Sequence, residues 1–135
     1  MTNTIYVDSN IFLNALLYDD KRAKKCKELL KEIGKKEKNG VTAILTWDEV
    51  VYVTKKFLGV EIGNSEGKKF LGLPNISLKK VDKEIIEKAQ KIIETYNVGP
   101  RDAIHAATAL VNNIKEIASD DSDFDKIKEL KRIKP

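Results

Sequence analysis

The chain has 135 residues, 41% hydrophobic and 34% charged, with 25 Lys plus Arg against 21 Asp plus Glu. That length suits one domain, residues 1–135, with its own hydrophobic core, and the composition is globular rather than disordered. No apolar run nears the ~18 residues of a membrane span, so no membrane partner is expected, and the lone Cys26 excludes an internal disulfide and fits a reducing, cytoplasmic setting.

Thr4–Asp8 (TIYVD) is a β-branched and aromatic run that predicts a buried strand ending at Asp8. The chain enters it without a basic segment leading an apolar one, so no signal peptide is expected. Ser9-Asn10 marks a turn into a short helix over Ile11–Tyr18, which Asp19-Asp20 breaks. Lys21–Lys36 predicts an amphipathic helix with Ala23, Cys26, Leu30 and Ile33 on one face, so Cys26 reads as core. Asn39-Gly40 predicts a turn and Val41–Leu45 a second strand. Thr46–Leu58 is open between strand and helix. Its Thr46-x-x-Glu49 capping box and the stripe Trp47, Val50, Val51, Thr54, Leu58 favour helix.

Gly59–Pro74 holds four glycines and has the weakest pattern, with at most a helix around Ser65–Leu71. Ile76–Val81 reads as a strand, and Asp82 as the cap of a helix reaching about Tyr96 with Ile85, Ala89, Ile92, Ile93 and Tyr96 inward. Pro100 suits a first helical position and places Asp102 in the first turn, where free N–H groups and the helix dipole favour an anion. Ala103, Ala106, Ala107 and Leu110 give that helix a close-packing face. Glu116–Ser119 predicts a strand running into Asp120, Asp121 and Asp123, followed by a short helix over Phe124–Leu130 and an edge strand over Lys131–Pro135. Strands alternating with helices imply an α/β fold with a parallel sheet and right-handed crossovers.

Ligands of such sheets bind beyond the carboxyl ends of the strands, at the switch point. Asp8, Glu49, Asp102 and the Asp120–Asp123 group all fall at that end. Singly, each has an ordinary role as a helix cap or solvated turn. Together, two carboxylates ~5 Å apart repel by roughly 3 kcal/mol at an effective dielectric near 20, so four need a cation. Oxygen donors with one His and one Cys suit Mg²⁺ or Mn²⁺, one ion or two, rather than zinc, and the matching chemistry is phosphodiester hydrolysis. GxGxxG, GxxxxGK[ST] and GxSxG motifs are absent. His105, three residues after Asp102, reads as a packed or hydrogen-bonded imidazole rather than a catalytic base. The +4 net charge suits a polyanion partner, and equally a lysine-rich surface.

The opening strand ending in Asp8-Ser9-Asn10, the helix bearing Glu49, the block DAIHAATAL at Asp102–Leu110 and SDDSDF at Ser119–Phe124 together resemble a PIN-domain nuclease, most similar to VapC-type toxins. The resemblance spans nearly the whole chain. It places the family's acids on Asp8, Glu49, Asp102 and Asp121, with Asp123 a further metal ligand, and leaves the order among Asp120, Asp121 and Asp123 open. Ser9, Asn10 and Ser119, the last in place of the usual threonine, match pocket-lining positions. The resemblance implies a three-layer α/β/α fold, a homodimer, a metal-dependent endoribonuclease and a cognate VapB-type antitoxin whose tail enters the acidic groove. Arg101, Lys55 and Lys56 are candidate RNA contacts by sequence proximity. The rivals are a PIN-like RNA-processing factor, a non-catalytic RNA-binding scaffold, and an aspartyl-phosphate enzyme with Asp8 as nucleophile. Asp8-Ser9-Asn10 lacks the second aspartate that small phosphatases of the last kind use.

Overall fold

The structure, a computed structural model, describes residues 3–135. The elements run β1 (Thr4–Val7), α1 (Ser9–Leu17), α2 (Lys21–Gly34), β2 (Asn39–Ala43), α3 (Thr46–Leu58), α4 (Val60–Leu71), β3 (Ile76–Lys79), α5 (Lys83–Tyr96), α6 (Pro100–Val111), β4 (Glu116–Ala118), a 3-10 turn (Ser122–Lys126) and β5 (Lys131–Ile133). The five strands form one parallel sheet in the order β3-β2-β1-β4-β5. The chain winds outward from β1 to β3, then returns to lay β4 against the other side of β1. The switch point therefore lies between β1 and β4.

Alternation along the strands sorts the helices into two layers. Ile5 and Val7 face Ile11, Phe12, Cys26, Leu29, Ile33, Val50 and Phe70, which come from α1 to α4. Tyr6 and Ile117 face the opposite way, onto Ile85, Ala89, Ile92, Ala103, Ala106 and Ala107 from α5 and α6. The result is the expected α/β/α sandwich. Alanines on α6 let that helix sit close enough to the sheet to bury His105 and Thr108 along with them.

Three local expectations are corrected. The glycine-rich stretch after residue 59 is a full helix, α4, whose Gly63 and Gly67 form its contact face with α3. A Cβ on Gly67 would lie 2.7 Å from Val51 Cγ2 and 3.2 Å from Trp47 Nε1, and one on Gly63 would lie 3.1 Å from Lys55 Cα. These glycines admit a neighbouring helix, whereas Gly59, at φ +96°, makes the turn between α3 and α4. The capping box of α3 does not form: Leu45 is the N-cap and supplies no side-chain bond. Thr46 Oγ1 instead pairs with Thr42 Oγ1 at 2.7 Å, and Thr42 donates to Val7 O at 2.7 Å, so both hydroxyls are spent on the sheet. Finally, the segment after β4 is a short 3-10 turn rather than an α-helix, with Asp121 as its cap. Elsewhere the element ends shift by a few residues, and Asn39-Gly40 belongs to β2.

Candidate metal centre

β1 ends by delivering Asp8 to the switch point, where its N–H donates to Ala118 O at 3.0 Å and extends the β1–β4 pairing by one rung. Asp8 is 4% exposed. It caps α1 by accepting from Ser9 N at 2.7 Å, and its second oxygen accepts from Ser119 Oγ at 2.7 Å. Ser119, just past β4, is fully committed: its hydroxyl also accepts from Asn10 Nδ2 at 3.2 Å and from Asp121 N at 3.0 Å. One donor and two lone pairs are thereby used. Asn10 closes the loop by accepting from Asp120 N at 3.3 Å. Ser119 and Asn10 thus hold the ends of β1 and β4 in register.

Beyond them, Asp102 from the first turn of α6 meets Asp121 and Asp123. Each can present one oxygen within 4.8 Å of the other two. Burial, then the charges of Asp121 and Asp8, push the Asp102 carboxyl up to about 7. Burial likewise raises Asp8, against the partial offset of His105 and its two serine partners. Burial and the repulsion among these carboxylates both favour their protonated forms, and a donor set of carboxylate oxygens alone fits a hard divalent ion.

Glu49 sits apart from that trio. Its carboxylate accepts from Ser9 Oγ at 2.7 Å and from His105 Nε2 at 2.8 Å. Burial alone would raise it, but the bond and charge of His105, the Ser9 hydroxyl and the charge of Arg101 bring it below its ordinary value. His105, 2% exposed, lies with Nε2 also 3.4 Å from Asp8 Oδ1. Its other nitrogen, Nδ1, is 2.6 Å from Tyr6 Oη, which in turn accepts from Ala43 N at 3.0 Å. In the neutral ring the phenol donates to Nδ1, which leaves the proton on Nε2. In the charged ring Nε2 keeps its proton as well. By this network Nε2–H points at Glu49 in either state. Burial lowers His105, but the influence of Tyr6, Glu49 and Asp8 outweighs it and raises the ring well above its ordinary value.

The sequence-level candidates therefore fall into two connected groups: Asp102, Asp121 and Asp123 outside, and Asp8 and Glu49 inside, with Ser9, Ser119 and Asn10 between. Tyr6 was not among them, because a buried tyrosine on a strand reads as core. Asp120 points away to Arg22, at 3.7 Å. Arg101 is exposed and close enough to Glu49 for its charge to be felt. Lys55 and Lys56 lie six and seven residues beyond Glu49 on α3, about 9–10 Å along the helix, with Lys55 packed against Gly63.

Residues 5–130 match the sequence profile of the PIN domain. The chain belongs to the PIN domain family. No curated protein matches it by sequence. Among solved structures, it resembles a sarcin-ricin-loop-cleaving VapC toxin of Mycobacterium tuberculosis at 16% identity and TM-score 0.76, covering 92% of this chain and 95% of that one. A VapBC complex of Rickettsia felis bound to a promoter DNA fragment gives 16% identity and TM-score 0.74, covering 96% and 97%. A DNA-bound VapBC complex of Salmonella typhimurium gives 15% and 0.72, covering 98% of each chain. At these identities the likeness is one of fold. The shared fold runs over 95–98% of each of these chains.

Proposed function

We propose that this PIN domain is a Mg²⁺- or Mn²⁺-dependent endoribonuclease and the toxin of a VapBC-type pair. The observation that carries the reading is the Asp102–Asp121–Asp123 trio at the switch point, with Asp102 pushed up to about 7 by its neighbours. Such a group is poorly suited to stand alone and well suited to hold a divalent ion. Asp102, Asp121 and Asp123 would hold the ion, and Asp8 and Glu49 would take part directly or through water. A bound ion supplies Lewis acidity at the scissile phosphate and offsets its developing charge. Ser9, Ser119 and Asn10 orient the inner carboxylates, and His105 keeps a proton on Nε2 against Glu49.

RNA as substrate is supported by the net charge of +4 on a chain that gathers its acids in one place and by the sarcin-ricin-loop cleavage of the Mycobacterium tuberculosis toxin whose fold it shares. An antitoxin partner is supported by relatives solved as VapBC complexes. A homodimer is supported by the outward apolar residues of α3 and α4, where Tyr52, Phe57 and Val60 are 61%, 66% and 59% exposed. Among the described residues no helix is long and apolar enough to cross a membrane, and the buried free Cys26 suits a cytoplasmic setting.

The test is cleavage of RNA by purified protein with and without Mg²⁺ or Mn²⁺. Asp8→Asn and Asp102→Asn are expected to remain folded by circular dichroism and to lose cleavage by at least ~100-fold, the order seen when a group that stabilises a transition state is removed. Metal-independent cleavage, or full activity in either variant, overturns the reading. A wild type that binds RNA but neither cleaves it nor takes up Mn²⁺ points to the scaffold instead.

A further inference from the structure

On the Asp120 side of the acids the surface folds into a cleft of about 380 Å³ lined by Lys21, Arg22 and Lys25 of α2, by Asp120, and by Lys134 after β5. Four cationic side chains face the Asp120 carboxylate, with Cys26 and Pro135 completing the lining. Arg22 is tied down: it reaches Asp120 at 3.7 Å and Asp20 at 3.6 Å, and lies 4.7 Å over the Tyr18 ring. Lys21, Lys25 and Lys134 make no ion pair among the described residues. On the same side of the acids, two other cations are already engaged. Lys126 pairs with Asp123 at 3.3 Å, and Asp125 holds Arg132 through both carboxylate oxygens at 2.9 and 3.1 Å.

The arrangement works against the local fold. Lys21 and Lys25 stand one turn apart on one side of α2, so they repel, and Lys21 opens the helix at the end where its dipole disfavours cations. Asp20 already serves that end, accepting from Ala23 N at 2.9 Å. The attraction of the cleft therefore comes from side chains of two separate segments rather than from backbone N–H groups. A bound polyanion would relieve this repulsion.

The cleft and the acidic trio meet at consecutive residues of the chain. Asp120 forms the cleft wall and Asp121, the next residue about 3.8 Å along the backbone, belongs to the trio. We propose that this cleft binds the sugar–phosphate backbone of the RNA strand where it leaves the acids, taking phosphates that flank the scissile one. The identity of the strand rests on the ribonuclease reading above. Lys21, Lys25 and Lys134 supply the phosphate contacts, and Arg22, fixed on Tyr18, shields Asp120 from the strand.

The experiment is fluorescence anisotropy with a fluorescein-labelled single-stranded RNA of about 12 nucleotides, in EDTA, titrated across roughly 50–200 mM salt. The triple variant Lys21→Gln, Lys25→Gln, Lys134→Gln should bind at least roughly tenfold more weakly at 100 mM, with the slope of log affinity against log salt reduced by about 2, three contacts at ~0.7 each. The charge-matched triple Lys24→Gln, Lys27→Gln, Lys31→Gln, on exposed positions of the same helix outside the cleft, should leave both unchanged. Equal losses in the two triples, an unchanged slope in the first, or no RNA binding by the wild type overturns the proposal. If RNA binding needs the cleft but no cleavage appears with Mg²⁺ or Mn²⁺, the nuclease reading fails and the cleft stands. If cleavage proceeds and the cleft triple leaves KM unchanged, the cleft fails and the nuclease stands.

Discussion

Asp102 carries its proton to about 7 when folded, against an ordinary value of 3.8. Between those values the folded chain binds more protons than the unfolded one. This contribution to stability is therefore full below about pH 4 and is lost as pH rises through 7. Asp8, raised by burial, adds in the same direction. A divalent ion held by these acids would reverse the trend, since it would compete with those protons. Melting curves should show Mn²⁺ raising Tm more at pH 8 than at pH 5.5, and an equal shift at both would contradict the charge cluster. Asp102→Asn should raise the metal-free Tm at pH 8 by roughly 4 °C, as ~1 kcal/mol does for a domain near this size. The buried relay gives a second residue-level expectation. Tyr6→Phe strands both Ala43 N–H and His105 Nδ1, and should cost about 2 kcal/mol in urea unfolding, at ~1–3 kcal/mol per unpaired buried group. A cost below ~0.5 kcal/mol would mean the phenol is not the link. At this scale the sequence showed the acids but not their company. Glu49 fits a capping box, and only the fold reveals that Ser9 and His105 claim it first. His105 was legible as a hydrogen-bonded imidazole because it follows Asp102 by three residues, whereas its partner Tyr6 lies 99 residues away.

The strands and long helices followed from period and punctuation. Asp82 caps α5 by accepting from Ile85 N at 3.1 Å, as its position before an apolar stripe implies. Pro100 opens α6 as the first helical residue. α4 escaped because glycine lowers helix propensity in isolation, and its compensation is tertiary: Gly63 and Gly67 let α3 approach, a contact that local sequence does not display. Gly67→Val should therefore drive a side chain into Val51 and Trp47 and cost at least ~2 kcal/mol. Gly72→Ala, whose added Cβ meets nothing nearer than Lys69 O at 3.9 Å, should stay within about 0.5 kcal/mol. Comparable costs for the two, measured by urea unfolding, would remove the close-packing account of α4.

Over the molecule as a whole, parallel topology places the strand ends at one edge, so acids separated by up to 115 positions converge without any local motif. That much is readable from alternating elements. The division of the acids into an outer trio and an inner, hydrogen-bonded pair is not, because it depends on which side chains reach which hydroxyl. Among the described residues β1 and β4 are joined by two paired positions, Tyr6 with Ile117 and Val7 with Ala118, plus the Asp8 N–H bond to Ala118 O. This short seam unites two half-sheets that were laid down in different parts of the chain. Asp8 belongs to one half and Asp121 to the other, with Ser119 Oγ as their present stitch. An ion gripping both would act as a rivet through the middle of the protein. Amide exchange at Asp8 and Ser119 should then slow on adding Mn²⁺ while the amides of β3, at the far edge, keep their rates. Metal loading and mechanical integrity would be one event, and a metal-starved copy would open first along the β1–β4 seam.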